Sequence, residues 1–392
     1  MEIITLIMMI LTRMVSLITL ILMMTVTKAM TPTVTQMWIN GVGGCYHNLN
    51  MERNNKKGEI MKNAWAVGTI TDEFLTTSKQ LGVKNIIHYG GPGQTDWIGR
   101  GRTYEEYKEI VDTLKSNGLN LASFEGGFVG NPHYWDIFAG GPKRDEQIED
   151  LIDQIRDMAR AGVPAYGYNW MPLGWVRSDP KTIRGDASAT AFNANDKNLV
   201  FGGKDEIKSI GDKYKLTKES IWQNLEYWIK AVTPVAEEEG IRLGIHPDDP
   251  PVDNLGGVPR IMTSFDAFKR LIEIYPSDSN AIEFCQGTFS EMDEDIYEMI
   301  EYFASRNKIL YVHFRNVSAP NPNEFHEEFI NTGYVDMVKA MKTYKDAGFD
   351  GCFMDDHCPD IYNDQEFPGN LGGYRSRIFA QGYIQGLLDS IK

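Results

Sequence analysis

The chain has 392 residues, a formal net charge of -15 at pH 7, and a hydrophobic content of 42%. This length can bury a large core, and the composition is that of a globular protein rather than a disordered or fibrous one. Because no stretch is rich in lysine or arginine, the acidic charge argues against a nucleic-acid-binding surface, including that of a metal-dependent apurinic endonuclease.

The first sixty residues differ from the rest of the chain. Residues 1–30 are apolar, but their uncharged run, 14–27, is shorter than the ~20 residues that span a bilayer and closer to the core of a signal peptide. Residues 31–60 are polar and irregular. We expect residues 1–60 to be an appendage that leaves export or membrane association open, and residues 61–392 to form one catalytic domain.

From residue 64 onward, short apolar strands alternate with amphipathic helices. The predicted strands cover residues 64–68, 85–89, 119–125, 164–169, 242–247, 281–286, 309–315 and 350–355. The predicted helices cover residues 72–81, 104–117, 144–161, 218–239, 264–275, 293–305, 335–347 and 376–391. Several of these helices end in a glycine followed by an apolar residue, which is typical of the left-handed cap of a helix that returns to a sheet.

Eight strand–helix units predict an α/β fold, a single (β/α)8 TIM barrel, because a parallel sheet must hide both faces and a closed barrel leaves no edge. A doubly wound open sheet is the alternative. It would be expected to have a glycine-rich phosphate loop after the first strand, where this chain has Thr69-Ile-Thr-Asp. The loops 126–143 and 170–217 are long enough to be lids or substrate contacts, and His133 in the first is a candidate substrate contact.

The last four predicted strands each end in side chains that bind metal or move protons. These are His246, Cys285, His313 and the sequence Asp355-Asp-His357. All strands of a TIM barrel open their carboxyl ends on one face, so consecutive strand ends can place ligands around one ion. Packing alone would not require this pattern, since burying polar groups without partners is costly.

The four cysteines, Cys45, Cys285, Cys352 and Cys358, have neither the density nor the spacing of a disulfide framework. This indicates a reducing compartment, and we expect a cytoplasmic location. Cys285 is a candidate thiolate ligand, whereas Cys352 is more simply a small buried apolar residue.

Motifs in these segments resemble those of the mannonate dehydratase family, sugar-acid lyases with a xylose-isomerase-like barrel. They include His246-Pro-Asp-Asp-Pro-Pro251, Phe284-Cys-Gln-Gly287, Val312-His-Phe-Arg-Asn-Val317, Asp355-Asp-His357 and Gly372-Gly-Tyr-Arg375. The resemblance runs through residues 61–392. In one departure, the family usually has glycine after the aspartate–histidine pair, where this chain has Cys358.

The resemblance implies conversion of D-mannonate to 2-dehydro-3-deoxy-D-gluconate plus water in hexuronate catabolism, with Mn²⁺ or Fe²⁺ as cofactor. It implies four metal ligands, His246, Cys285, His313 and Asp356. The reaction removes the proton next to a carboxylate and expels the 3-hydroxyl, so it needs a cation as Lewis acid and a proton donor and acceptor. His357 and Tyr374 are the candidates for proton transfer, and which is the acid and which the base stays open.

Three further residues are candidate substrate contacts. Arg315 follows His313 by two residues on the same side of the strand and is a candidate for the substrate carboxylate, with a salt bridge at the barrel rim as the alternative. Asp248, together with the adjacent Asp249, is expected to hold His246 or to bond sugar hydroxyls. Asn169 lies in Tyr168-Asn-Trp170, which resembles the family's substrate region. We expect a small sugar acid as partner, no nucleic acid and no stable membrane partner, and a homo-oligomer is left open.

Two other functions remain as alternatives. A metal-dependent sugar isomerase or epimerase on the same barrel is the nearest, although the thiolate of Cys285 is an unusual ligand for such enzymes. A non-catalytic sugar-binding protein would have no need of a proton donor and acceptor beside a metal. The native metal stays open, because two histidines, one cysteine and one aspartate suit Mn, Fe, Co and Zn.

Overall fold

The computed structural model describes residues 61–91, 102–201, 214–364 and 373–392. Within these ranges eight parallel strands close into a barrel and follow one another around it in chain order. The barrel strands are β1 Lys62–Val67, β2 Asn85–Tyr89, β3 Asn120–Glu125, β4 Ala165–Asn169, β5 Arg242–His246, β6 Asn280–Cys285, β7 Ile309–His313 and β8 Cys352–Met354. Because β8 pairs with β1, the sheet has no free edge, and the predicted TIM barrel is confirmed.

Helices follow the barrel strands along the chain. They are α1 Asp72–Leu81, α2 Tyr104–Ser116, α3 Trp135–Ala139, α4 Arg144–Ala161, α5 Lys218–Glu239, α6 Phe265–Ile274, α7 Gln286–Glu291, α8 Ile296–Ala304, α9 Met337–Asp346 and α10 Tyr374–Ser390. All eight predicted helices are present. The short helices α3 and α7 were not predicted, because each has too few residues to show a helical period.

Glycines end several helices where the chain turns back to the barrel. Gly82, Gly162 and Gly240 follow α1, α4 and α5, with φ angles of 74°, 93° and 71°. Side chains other than glycine rarely adopt this left-handed conformation, so glycine permits the sharp return to the next strand. The predicted glycine caps are therefore confirmed at these positions.

The core has two layers because successive residues of a strand point to opposite faces. Outward residues such as Phe284 and Val312 belong to the large cluster that includes the helices. Inward residues such as Ala64, Ala66 and Tyr311 pack together inside the barrel. Cys285 follows Phe284, so this alternation turns its side chain towards the barrel interior.

A second sheet joins the segments that leave the carboxyl ends of β4 and β7. Its five strands are, in spatial order, Asn316–Val317, Glu324–Glu328, Ser188–Asn193, Val176–Thr182 and Val200–Phe201. Phe192 and Phe325 pack across it, with ring centroids 5.8 Å apart. The sequence predicted only a long loop for residues 170–217, whereas three segments of this range, Val176–Thr182, Ser188–Asn193 and Val200–Phe201, are strands of this sheet.

The predicted appendage, residues 1–60, lies outside the described residues. In the part of the chain that the structure describes, no helix has the length and apolar character needed to cross a membrane. All barrel strands and their helices belong to one compact unit, Ile60–Lys392.

We expect a chain shortened to begin at Met61 to fold and to be as active as the full chain. The reason is that every strand of the closed barrel lies after Met61. Thermal unfolding of the two chains side by side is the measurement. A clearly lower melting temperature for the shortened chain would mean that residues 1–60 contribute to the barrel.

Candidate active site

Side chains from four consecutive strand ends converge inside the barrel. His246, Cys285 and His313 end β5, β6 and β7, and one ligand atom of each lies within 4.8 Å of the other two. All three are buried. Asp356 follows β8 and brings Oδ2 to 3.4 Å from Nδ1 of His313. The structure therefore brings together the four residues that the sequence analysis named as ligands.

Two members of this group are held in their anionic forms. Burial by itself raises the pKa of a thiol, but Arg315 and His246 hold the pKa of Cys285 well below its usual range. Burial also opposes ionisation of Asp356, yet the neighbouring His357 and His313 hold the pKa of its carboxyl well below the usual value. A thiolate and a carboxylate thus face the same small space.

Hydrogen bonds orient the two imidazoles of the group. Nδ1 of His246 donates a hydrogen bond of 2.7 Å to the carbonyl oxygen of Pro247, so Nε2 is the nitrogen that would bind a metal ion. Nε2 of His313 lies 3.2 Å from Glu125 Oε2 and 3.1 Å from Glu283 Oε1. This leaves Nδ1 of His313 on the side of Asp356.

The donor set fits a divalent transition-metal ion. Two imidazole nitrogens, one thiolate sulfur and one carboxylate oxygen are a mixture of ligand types that Mn, Fe, Co and Zn all accept. His246, Cys285 and His313 are one of two groups within the described residues whose ligand atoms lie close enough together to hold such an ion. The second group shares His313 and adds two carboxylates, those of Glu125 and Glu283.

The sequence analysis missed both of these glutamates. Glu283 precedes Cys285 by two residues and so points to the same side of β6, and this spacing was the signal that could have found it. Glu125 is the last residue of β3, and its carboxylate accepts a hydrogen bond of 3.1 Å from the Tyr311 hydroxyl. Burial and the charge of Glu283 raise the pKa of Glu125 to about 7.

A glycine in β4 makes room for these side chains. A methyl group at Gly167 would overlap both the hydroxyl of Tyr311 and the carboxylate of Glu283. Any residue larger than glycine would therefore push these side chains out of position.

Arg315 lies behind the ligands and is 2% exposed. Its Nε donates to the Cys285 sulfur at 3.3 Å, and its two terminal nitrogens pair with Glu327 at 2.8 Å and Asp249 at 3.0 Å. This is the ion-pair arrangement that the sequence left open as the alternative to a substrate clamp. A substrate carboxylate would have to displace one of these buried carboxylates to reach Arg315.

Asp248 is committed to the loop that follows β5. Its Oδ2 accepts hydrogen bonds from the backbone nitrogens of Ile261 and Met262, at 3.0 and 2.8 Å. Asp248 was expected to accept a hydrogen bond from His246. Nδ1 of His246 donates to the carbonyl oxygen of Pro247 instead. Asp248 therefore fixes a loop beside the site rather than the orientation of His246.

Asn169 lies close to the ligands. It is the last residue of β4, is paired in register with His246 on β5, and is buried. Its Oδ1 accepts a hydrogen bond of 3.2 Å from the backbone nitrogen of Met171.

His357 stands on the more accessible side of the ligand group. Its Nε2 lies 3.6 Å from Asp356 Oδ2, and its side chain is 26% exposed, whereas Cys285 is fully buried. Burial lowers the pKa of His357 to about 4, so the imidazole is neutral at pH 7. Its backbone has a φ of 44°, an uncommon conformation for a residue other than glycine. The next residue, Cys358, has no positive φ, so its backbone does not require the glycine usual in the family.

Two predicted residues are not brought to the ligand group. Tyr374 begins α10, and its ring packs on Trp65 with centroids 6.0 Å apart, in the cluster between the barrel wall and α1. The motif around Tyr374 predicts its place in the chain but not the side of the barrel wall on which its side chain lies. His133 is exposed in a short 3-10 turn, and its ring contacts Tyr134.

A different tyrosine faces the site. Tyr89 ends β2 and packs with the inward residues of the barrel. Burial, Glu125 and Asp356 raise the pKa of its phenol well above the usual value, so it keeps its proton at neutral pH. Its position at a strand end on the inward face was the signal that the sequence analysis passed over.

Comparison with known proteins gives a consistent result. The family model for D-mannonate dehydratase (UxuA) matches residues 61–392. Mannonate dehydratase from Streptococcus pneumoniae (strain 70585) is 33% identical over 314 residues, which cover 75% of this chain and 84% of that protein. Mannonate dehydratase 2 from Halalkalibacterium halodurans is 32% identical over 308 residues, 72% of this chain and 87% of that protein.

Solved structures agree with the sequence matches. The crystal structure of mannonate dehydratase from Streptococcus suis serotype 2 has a TM-score of 0.75 and 32% identity, and the match covers 84% of this chain and 94% of that one. A xylose isomerase domain protein from Planctomyces limnophilus has a TM-score of 0.52 at 13% identity, over 84% of this chain and 97% of that one. The second likeness shows the barrel fold alone.

Proposed function

Because the chain belongs to the D-mannonate dehydratase family, a family of hydro-lyases, we propose that it converts D-mannonate to 2-dehydro-3-deoxy-D-gluconate plus water in hexuronate catabolism. The observation that carries the proposal is the convergence of His246, Cys285, His313 and Asp356 at four consecutive strand ends. Carboxyl ends of barrel strands are where TIM-barrel enzymes build their active sites.

We propose Mn²⁺ or Fe²⁺ as the cofactor of this site. His246 would contribute Nε2, His313 Nδ1, Cys285 its sulfur and Asp356 a carboxylate oxygen. When bound, the cation supplies Lewis-acid stabilisation of the negative charge on the substrate carboxylate. A substrate would reach the cation from the side of Asp356 and the neighbouring His357. Among the described residues of the site, these two side chains are partly exposed, whereas the other three ligands are buried.

The protons are moved by residues of the chain itself. His357 is neutral at pH 7 and lies beside Asp356, so its ring can accept the C2 proton or pass a proton to the leaving 3-hydroxyl. The phenol of Tyr89 keeps its proton and faces the same space, so we propose it as the second proton carrier. The amide of Asn169, next to His246, is the proposed substrate contact from β4.

Two tyrosine variants test the second proton carrier. We expect Tyr89→Phe to lower turnover by roughly 100- to 10,000-fold with metal content intact, the usual range for a lost acid or base. Tyr374→Phe should turn over nearly as fast as the unmodified protein, because its ring lies between the barrel wall and α1. If Tyr374→Phe loses turnover and Tyr89→Phe does not, Tyr374 is the second proton carrier. The first turn of α10 would then have to move towards the ligands during the reaction.

The reaction itself separates the proposal from its alternatives. Purified protein is incubated with D-mannonate and related aldonates, and in separate samples with aldoses and ketoses, each with and without Mn²⁺, and the products are analysed. A 2-keto-3-deoxy acid is the expected product. A ketose or an epimer from a sugar would indicate an isomerase or epimerase, and binding without turnover would indicate a sugar-binding protein.

We also propose a cytoplasmic location. The cysteines in the described part of the chain, Cys285, Cys352 and Cys358, are all free thiols. Free thiols are typical of a reducing compartment.

A further inference from the structure

Two buried glutamates lie on the far side of His313 from the proposed cation. Glu283 Oε1 and Glu125 Oε2 lie 3.1 and 3.2 Å from Nε2 of His313. Glu283 is 1% exposed and Glu125 is 6% exposed. Carboxylates are rarely buried unless they have a structural or functional role, because removing their charge from water is costly.

We propose that Glu125 and Glu283 are positioning residues that keep the ring hydrogen of His313 on Nε2 and so set how tightly the site holds its cation. This inference rests on the metal site of the proposed function. A neutral imidazole carries one hydrogen, and the nitrogen without it has the lone pair that binds metal. Glu125 Oε2 accepts a hydrogen bond from Nε2 at 3.2 Å, and Glu283 Oε1 lies at an ion-pair distance of 3.1 Å from the same nitrogen. Both oxygens therefore favour a hydrogen on Nε2 and leave the lone pair on Nδ1, the nitrogen that lies 3.4 Å from Asp356.

Residues of the neighbouring strands set the positions of the two glutamates. Tyr311 precedes His313 by two residues in β7, and its hydroxyl donates to Glu125 Oε2 at 3.1 Å. Gly167 in β4 leaves just enough room for the Glu283 carboxylate. The three carboxylate and imidazole side chains come from β3, β6 and β7, so rigid barrel strands set their spacing rather than loops.

The carboxylate group itself also favours this orientation of the ring. A carboxylate that accepts the outer hydrogen of a metal-binding histidine raises the basicity of the ring and fixes its orientation. Replacing glutamate by glutamine keeps the size of the side chain but removes one of its two acceptor oxygens. A glutamine can also turn its amide nitrogen towards Nε2, which would draw the ring hydrogen to Nδ1 and occupy the ligand position.

A second cation is the competing explanation for the same residues. Glu125, Glu283 and His313 bring one ligand atom each to within 4.8 Å of one another, which is compatible with an ion. The hydrogen bond from Nε2 to Glu125 and the ion-pair distance from Nε2 to Glu283 account for the 3.2 and 3.1 Å separations without such an ion. The number of ions bound per chain therefore separates the two explanations.

The test is a titration of metal-free full chain with Mn²⁺, which gives the dissociation constant and the number of ions per chain. The variants are Glu125→Gln, Glu283→Gln and the double variant. Asp136→Asn is the matched control, since Asp136 is a buried carboxylate that binds the Lys143 backbone and the Tyr214 hydroxyl instead of His313. We expect each single variant to raise the Mn²⁺ dissociation constant by about 10- to 100-fold, the double variant to raise it further, and the control to leave it unchanged.

Variants that bind Mn²⁺ as tightly as the unmodified protein would overturn the proposal. So would two ions per unmodified chain, of which the glutamine variants lose one and keep the other at its original affinity. If a glutamine variant fails to fold, Glu283→Asp replaces it in the titration. Aspartate keeps the carboxylate but is one carbon shorter, so its oxygen lies farther from Nε2 of His313. This variant is also expected to raise the Mn²⁺ dissociation constant. Tight binding of one Mn²⁺ without dehydration of D-mannonate would refute the proposed function while leaving the glutamate result interpretable.

Discussion

Cys285→Ser and His313→Asn should each reduce bound Mn²⁺ from about one ion per chain to a trace and bring turnover down to background. Both side chains are buried ligand candidates on neighbouring strands. A serine hydroxyl stays protonated where Arg315 and His246 hold the cysteine as a thiolate, so it is a far weaker ligand. Asparagine in place of His313 removes the ring nitrogen that faces Asp356.

Metal content and thermal unfolding of the purified variants decide this prediction. Cys352→Ser is the matched control, because Cys352 is a free cysteine in β8 that lies outside the ligand group. The control should keep both its metal and its turnover. Normal metal content together with normal turnover in Cys285→Ser and His313→Asn would show that the ligand assignment is wrong.

His357→Gln should keep its metal and lose roughly 100- to 10,000-fold in turnover, the usual range for a lost general acid or base. The physical reason is that a glutamine amide neither accepts nor gives up a proton near neutral pH, whereas the imidazole of His357 is neutral and able to accept one. Its place beside Asp356 keeps that function close to the proposed cation.

His326→Gln is the control for this second prediction. His326 is also a partly exposed histidine beside a carboxylate, with Nε2 3.3 Å from Glu328, but it lies in the five-stranded sheet. Its variant should turn over like the unmodified protein. Steady-state kinetics and metal analysis are the measurements, and near-normal kcat in His357→Gln would remove His357 from the mechanism.

Local sequence signals predicted the barrel well because the barrel is made of local units. The period of apolar residues marks α1, α4 and α5, and the glycines Gly82, Gly162 and Gly240 mark where they end. The five-stranded sheet could not be predicted in this way. Its pairing of Ser188–Asn193 with Glu324–Glu328 joins segments far apart in the chain, and neither segment alone shows which partner it will find.

The same distinction between local and long-range signals applies to the residues of the site. The ligand candidates could be read from the sequence because each ends an apolar run, and a closed barrel makes strand ends meet. Glu125 and Glu283 were missed because their role depends on the ring of His313, which belongs to another strand. Tyr374 was placed beside the ligands from a motif, but only the packing of α10 against Trp65 shows on which side of the barrel wall its phenol lies.

Reconstitution of metal-free protein tests the central claim most directly. Mn²⁺ is added in steps to a known amount of chain in the presence of D-mannonate, and formation of the 2-keto-3-deoxy acid is followed. The account predicts no product without metal and a rate that rises until about one ion is bound per chain, since one set of four ligands holds it. A dehydration rate that does not depend on added metal, or metal binding that never yields the keto-deoxy acid, would contradict it.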